Sequence, residues 1–490
     1  MPDPLPTPLD SATSSRQQLT LLDSTCIIVG IIIGASIYEG TPFIAKNAAT
    51  AVLDLATRGQ VAWNLPPFSP ATQDAIGLAG ILGVWVAGGL LALVGAMCYA
   101  ELATTWPHAG GSYFFLTRAF GKTVGFAFAW CEFWIIRPGN VGAISLVFAR
   151  YAAKLYPGGL SEQGSVLLAA GAIATLTVTN LLGLKFGKWT QNILTLLKIA
   201  GLGVVVLVGL TLPTPAPMDT ASAPHEAGSL GLALIMVMFA YGGWSDMSYV
   251  AAEVKNPGRN ISRALLLGTL AVLGIYLLTN LAFARGLGLE RFFSSGGVAS
   301  DVLATRFGPL GAKGISLLIC VSCLGAVNGM IFTGARVCYA LGAEDSLFAW
   351  LGKWNERLGV PVRSLLVQAA VTIGLVLGFG LRFPAKGELA LAATSRAGGF
   401  DKLVVFTSPF FWGFFVLVGL ALVVLRDREP ERERLFRLPL FPIFPAIFCL
   451  SSGYMMFASV DYVSRNLAWQ ALWAVFVIIS GFLLAWLRRR

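Results

Sequence analysis

Two stretches decide the fold: Gly30-Ile31-Ile32-Ile33-Gly34-Ala35-Ser36-Ile37-Tyr38 near the start, and Phe239-Ala240-Tyr241-Gly242-Gly243-Trp244-Ser245-Asp246 about halfway along. Each lies inside an apolar run long enough to cross a bilayer, and each concentrates glycine where a helix would otherwise continue. Unwinding there releases backbone N–H and C=O groups at membrane depth. Lipid tolerates such backbone only where it is enclosed in protein or lines a cavity. Two interruptions at corresponding places in two halves of a chain point to the solute site of a transporter.

The rest of the chain fits that setting. It has 490 residues, 56% hydrophobic and 12% charged, with a mean hydropathy of +0.73. A soluble chain carries about 25% charge. The apolar residues fall in runs of about 20, the length that crosses a hydrocarbon core. Twelve spans are predicted: 21–47, 75–104, 120–151, 164–183, 189–211, 229–252, 262–286, 312–341, 364–382, 402–425, 441–462 and 468–487. The expected fold is an all-α polytopic membrane protein with one transmembrane domain over 19–487, preceded by a disordered tail at 1–18 that lacks the features of a cleaved signal. Spans 1–5 (19–211) and 6–10 (229–425) are read as two related halves, because a broken helix opens each, and spans 11 and 12 (441–487) are appended. Residues 48–74 and 383–401 are expected as outer loops.

The net charge of +10 does not indicate nucleic acid, because the basic residues sit in short alternate loops: Arg118/Lys122, Lys185/Lys188, Lys255/Arg259/Arg263, Lys353/Arg357/Arg363, 426–437 and 488–490. The 5–6 loop carries Asp219 and Glu226 without Lys or Arg. The positive-inside rule then predicts cytoplasmic termini in a plasma (inner) membrane. Arg291, Arg306, Arg382 and Arg396 run against this bias. All seven cysteines fall in predicted spans, so no disulfide framework is indicated. Cys320-Val-Ser-Cys323 has metal-like spacing without partner ligands, and His225-Glu226 lacks the second histidine of a zinc-protease motif. No enzyme, metal or cofactor is expected.

The two glycine-broken stretches carry a resemblance. The first resembles the span 1 signature of the amino acid–polyamine–organocation superfamily, G-x-I-I-G-S-G-I-F. Tyr99-Ala-Glu101-Leu, Pro107 and Gly110-Gly111-Ser112-Tyr113 are similar to the family's 2–3 connection. Trp130 with Arg137-Pro138 is similar to span 3 of the L-type amino acid transporter branch, with a kink expected near the outer face. Phe239-Ala-Tyr-Gly-Gly-Trp244, with Glu253-Val-Lys-Asn256-Pro257, matches that branch most specifically. The resemblance implies a five-plus-five inverted repeat that binds an amino acid at the midplane. It assigns the substrate carboxylate to the backbone of Gly34, Ala35 and Ser36, and the ammonium to Ile32, Ile33, Phe239 and Ala240. A half-helix N-terminus suits the former and a C-terminus the latter. Gly242, Gly243 and Ser245 belong to the same substrate-binding set, with Phe239 as aromatic gate or, alternatively, a packing residue. The chain departs from the signature at Ala35, Ser36 and Tyr38, which favours a small or neutral-polar substrate.

Lys198 lies about nine residues into span 5, ~13 Å along it. A lysine that deep is costly and marks function, unless it snorkels to the cytoplasmic face. The resemblance implies a fixed replacement for sodium that bridges spans 1 and 8. Asp246 departs from the branch's pattern; ion pairing with a base such as Arg336 is the first expectation, then proton coupling or substrate contact. Glu132 and Arg137 are five residues apart, too far round an ideal α-helix to pair. Glu101 and Glu253 sit at cytoplasmic helix ends, as inner-gate candidates or solvated ends. Residues 152–163 hold no cysteine, so the disulfide-linked glycoprotein subunit of eukaryotic L-type carriers is not implied, which resembles the prokaryotic members. The expected function is sodium-independent exchange of small or neutral L-amino acids. The alternatives are proton-coupled transport of cationic amino acids or polyamines, and a receptor that binds without transport.

Overall fold

The computed structural model describes residues 17–213, 228–380 and 399–466, together with 476, 477, 479–481, 483 and 484. The tail at 1–16, the 5–6 loop with Asp219, His225 and Glu226, the 383–398 part of the second predicted loop with Arg396, Arg382, most of span 12 and the terminal arginines lie outside the described residues.

The described chain is helical, with two isolated β-bridges. In order come α1 (Leu21–Ile32), α2 (Ser36–Glu39), α3 (Thr41–Ala62), α4 (Pro70–Thr105), α5 (Ser112–Phe120) and α6 (Lys122–Cys131). A π-turn follows (Glu132–Ile136), then α7 (Arg137–Ala153), α8 (Glu162–Leu181), α9 (Leu184–Thr211) and α10 (Leu230–Ala240). A 3₁₀ helix (Trp244–Glu253) leads to α11 (Pro257–Leu287), α12 (Leu289–Ser294), α13 (Val298–Phe307), α14 (Pro309–Glu344), α15 (Val362–Gly380), α16 (Gly399–Arg428) and α17 (Ile443–Asn466). Eight helices in the described residues are long and apolar enough to cross a membrane. Leu21–Ile32 falls short of that length because the chain breaks at the predicted place.

Burial orders the bundle. The most apolar stretch of α14 is 78% buried, against 28% for α17, so α14 is central and α17 peripheral. Around α14 pack α1, α7, α8, α9, α15 and the 3₁₀ helix, while α16 and α17 pair on the outside. The start of α1 is fixed locally: Thr20 Oγ1 accepts from Asp23 N–H and the Asp23 carboxylate accepts from Thr20 N–H, a reciprocal cap. Gly30 lets α1 approach α9, where Thr195 Oγ1 donates to Cys26 O at 3.0 Å. A Cβ on Gly30 would stand 2.4 Å from that hydroxyl.

One expectation is overturned here. Residues 48–62 are not loop but the second half of α3. Strong helix formers dominate the stretch (Ala48, Ala49, Ala51, Leu53, Leu55, Ala56), and Ala45, Ala48 and Ala49 are buried where α3 meets α4, α10 and α12. Only 63–69 of the predicted loop is non-helical.

Candidate functional site

Both predicted breaks are present. α1 stops at Ile32, and Gly34 N–H turns back to Ile32 O at 2.8 Å. The chain resumes at Ser36 as α2, which runs through Gly40 into α3. Between them the N–H groups of Ala35 and Ser36 have no backbone acceptor among the described residues. Ile32, Ile33, Gly34 and Ala35 are buried and Ser36 is partly open.

Lys198 stands behind this break. It is fully buried on α9, and its ammonium donates to Gly30 O at 2.7 Å, Ile33 O at 2.8 Å and Ser322 O at 2.9 Å. Gly30 lies in the last turn of α1, Ile33 caps its C-terminus and Ser322 belongs to α14, so one side chain ties three helices. A half-helix C-terminus presents carbonyls and negative potential, and a cation there is favourable. The nitrogen has spent all three protons on backbone carbonyls; it does not snorkel.

The second break follows different geometry. α10 ends at Ala240, and Gly243 takes φ +116°, a left-handed conformation that favours glycine. A Cβ there would lie 2.5 Å from Ile31 Cγ2, so the two breaks touch at this residue. Gly243→Ala is therefore expected to lower both the melting temperature and the initial uptake rate, the latter at least about tenfold, since a left-handed non-glycine alone costs about 1–2 kcal/mol. A rate within twofold of wild type would contradict this contact. Past the break the chain continues as a 3₁₀ helix rather than α. Gly242 keeps an ordinary φ, and it is partly open, as are Gly243 and Phe239. The Phe239 ring meets Trp412 edge-on at 5.8 Å. Ser245 is buried, and its Oγ has no partner in the described structure.

Tyr276 of α11 links the breaks and escaped the sequence reading. Its hydroxyl lies 3.1 Å from both Ile32 O and Ala240 O, the carbonyl ends of the two interrupted helices. Tyr38 and Ser322 meet at 3.1 Å behind the first break. Tyr276 carries no sequence signal beyond its place in an apolar run, and Tyr38 stands out in the sequence only as a departure from the span 1 signature.

Beneath the breaks sits a buried charge cluster. Asp246 pairs with Arg137, not Arg336: Arg137 Nη1 donates to Asp246 Oδ2 at 2.5 Å, and Thr333 Oγ1 donates to the same oxygen at 3.0 Å. Arg137 also holds Glu132, with Nε to Oε1 at 2.8 Å. The expectation that this pair stands too far apart fails because residues 132–136 form a π-turn, in which Arg137 N–H bonds to Glu132 O. A π-turn brings positions five apart onto one face. Arg137 is 5% exposed, a buried residue of the bundle.

Arg336 instead forms a bidentate pair with Glu253, at 2.7 and 2.8 Å, and both are buried. Glu101 accepts from Arg426 at 2.7 and 2.5 Å and lies 3.3 Å from Arg434. These pairs lie on the side of the bundle that carries Gln18. There Gln18 and Leu19 N–H donate to Glu253 O, and Lys255 N–H donates to Leu19 O. That side is closed by paired side chains and by backbone.

Comparison with known proteins gives the chain's relatives. The b(0,+)-type amino acid transporter 1 of Mus musculus is 27% identical over 476 residues, covering 96% of this chain and 87% of that protein. The large neutral amino acids transporter small subunit 2 of Oryctolagus cuniculus is 27% identical over 460 residues, 91% of this chain and 76% of its own. The cystine/glutamate transporter of Homo sapiens is 26% identical over 452 residues, 91% and 80%. The chain is thus similar to membrane amino acid transporters of the L-type branch along nearly its whole length. Its residues 19–483 match the amino acid permease profile, and the chain belongs to that family.

Proposed function

We propose that this protein exchanges small or neutral L-amino acids across the plasma membrane by alternating access around α1 and α10, without sodium. The observation that carries the reading is the Lys198 ammonium bonded to Gly30 O, Ile33 O and Ser322 O, a fixed cation at the carbonyl end of the broken first helix. The unbonded N–H groups of Ala35 and Ser36 suit a substrate carboxylate. The carbonyls of Ile32, Ile33, Phe239 and Ala240 suit its ammonium; Ile33 O and Ala240 O each keep a second lone pair, whereas Ile32 O already meets both Gly34 N–H and the Tyr276 hydroxyl. Gly242, Gly243 and Ser245 border the same space, with Phe239 closing over it against Trp412.

A neutral side chain is favoured because both Asp246 oxygens are engaged by Arg137. The reading includes twelve spans, a five-plus-five repeat and cytoplasmic termini, with the closed face turned to the cytoplasm. It includes no disulfide-linked subunit. Substrate drives closure only through contacts it makes better in one state than the other.

The test is uptake of labelled neutral L-amino acids into liposomes preloaded with the same mixture or left empty. Preloading is expected to stimulate uptake at least tenfold, with unlabelled lysine and arginine competing weakly. Equal uptake in empty vesicles would establish uniport instead, and binding without flux would establish a receptor. Phe239→Ala is expected to raise KM more than it lowers kcat, since the aromatic contact closes over bound substrate.

A further inference from the structure

The Glu132–Arg137–Asp246 cluster holds one guanidinium against two carboxylates. The full charges next along the bundle, Arg336 and Glu253, neutralise each other. Around the cluster stand Tyr99 of α4, Cys131 of α6, Tyr249 of the 3₁₀ helix and Cys338 of α14, phenols and thiols that are uncharged at neutral pH. Thr333 of α14 and Gln368 of α15 are the neutral polar neighbours. With both carboxylates ionised, a net negative charge would be left in a site cut off from water, where charge is expensive.

A second observation points the same way. Gln368 is 3% exposed, and its Oε1 has no partner in the described structure. A Cβ on Gly334 would lie 2.6 Å from Arg137 Nε and 2.8 Å from Gln368 Oε1, so this orphan acceptor meets the cluster over that glycine. A buried acceptor without a donor is a standing cost, and a proton donated to that oxygen from within the cluster would offset it.

We propose that the cluster is a proton-binding site, with the proton on Glu132, and that its occupancy sets the rate at which the second broken helix moves. The inference rests on the transport reading above. With Glu132 protonated, Arg137 is left to Asp246, and the 3₁₀ helix is latched to α7. With the proton lost, Glu132 and Asp246 compete for one guanidinium, and the latch loosens. Exchange therefore quickens as pH rises, and the protein loses stability over the same interval, because deprotonation leaves buried negative charge.

The test is exchange of labelled neutral L-amino acids in preloaded liposomes, with pH equal inside and outside and stepped from 5.5 to 8.5. Wild type is expected to speed up at least threefold across the range, while Glu132→Gln stays within twofold of the slow acid rate throughout. Gln368→Leu, which removes the acceptor, is expected to move the wild-type midpoint to lower pH. The melting temperature of detergent-solubilised protein gives a readout independent of transport: it should fall with pH more steeply in wild type than in Glu132→Gln. A Glu132→Gln variant that keeps the wild-type pH profile and melting trend overturns the proposal. Absence of exchange at every pH defeats the transport reading instead, and the melting comparison then decides the proton site by itself.

Discussion

Lys198→Ala is expected to reduce exchange about a hundredfold or more. Three charge-assisted hydrogen bonds disappear together, each worth about 1.5–3 kcal/mol, and three backbone carbonyls are left bare in an apolar interior. About 2.7 kcal/mol lost from the barrier-crossing state alone is a factor of about 100 in rate. The carbonyls of Gly30 and Ile33 lie at the first break and that of Ser322 on the central helix, so the loss falls on the geometry of the break itself. Lys198→Arg is not a conservative rescue. A planar fork cannot converge three donors as an ammonium does, and a Cβ at Gly325 would already lie 2.9 Å from Lys198 Nζ. The check is the initial exchange rate per folded transporter, with folding followed by size-exclusion chromatography. An alanine variant that folds and exchanges at the wild-type rate would remove Lys198 from the mechanism.

Arg336→Met is expected to be the most destabilising single change on the closed face. Breaking a buried ion pair by removing one partner costs about 3–5 kcal/mol, because the remaining charge is stranded. Glu253 would be that charge, 2% exposed, with its backbone carbonyl already receiving Gln18 and Leu19 N–H. Adding Glu253→Gln should recover part of the loss, since the stranded charge is gone; the double-mutant cycle isolates the pair from its surroundings. Thermal unfolding of the three variants in detergent measures it. Strict additivity would mean that the two side chains do not depend on one another.

Much of this architecture was legible from side-chain chemistry. The glycines at 30–34 and 242–243 marked the two interruptions, because few residues but glycine permit the turn at Gly243 or the approach at Gly30. Lys198 was legible because a cation so deep in an apolar helix must be bound. What the sequence hid were features of phase and of distant pairing. The π-turn at Glu132–Ile136 adds no composition signal, yet it converts an apparently mismatched Glu132/Arg137 spacing into a salt bridge. Asp246 chose Arg137 over Arg336 because bundle packing sets which arginine faces which acid, and linear spacing carries none of that. Tyr276 reads as one more aromatic in an apolar run until the fold sets its hydroxyl between two helix ends. The α3 extension was missed for another reason: its polar, partly exposed face resembles a loop, and its helical character rests on alanine and leucine propensity with one buried stripe.

The most direct measurement of the central claim is the initial rate of neutral amino acid exchange in preloaded proteoliposomes, in sodium medium and in choline medium of equal ionic strength. If Lys198 supplies the fixed positive charge at the first break, the two rates agree within experimental scatter. Uptake that appears only when sodium is supplied would contradict that role and with it the proposed mechanism.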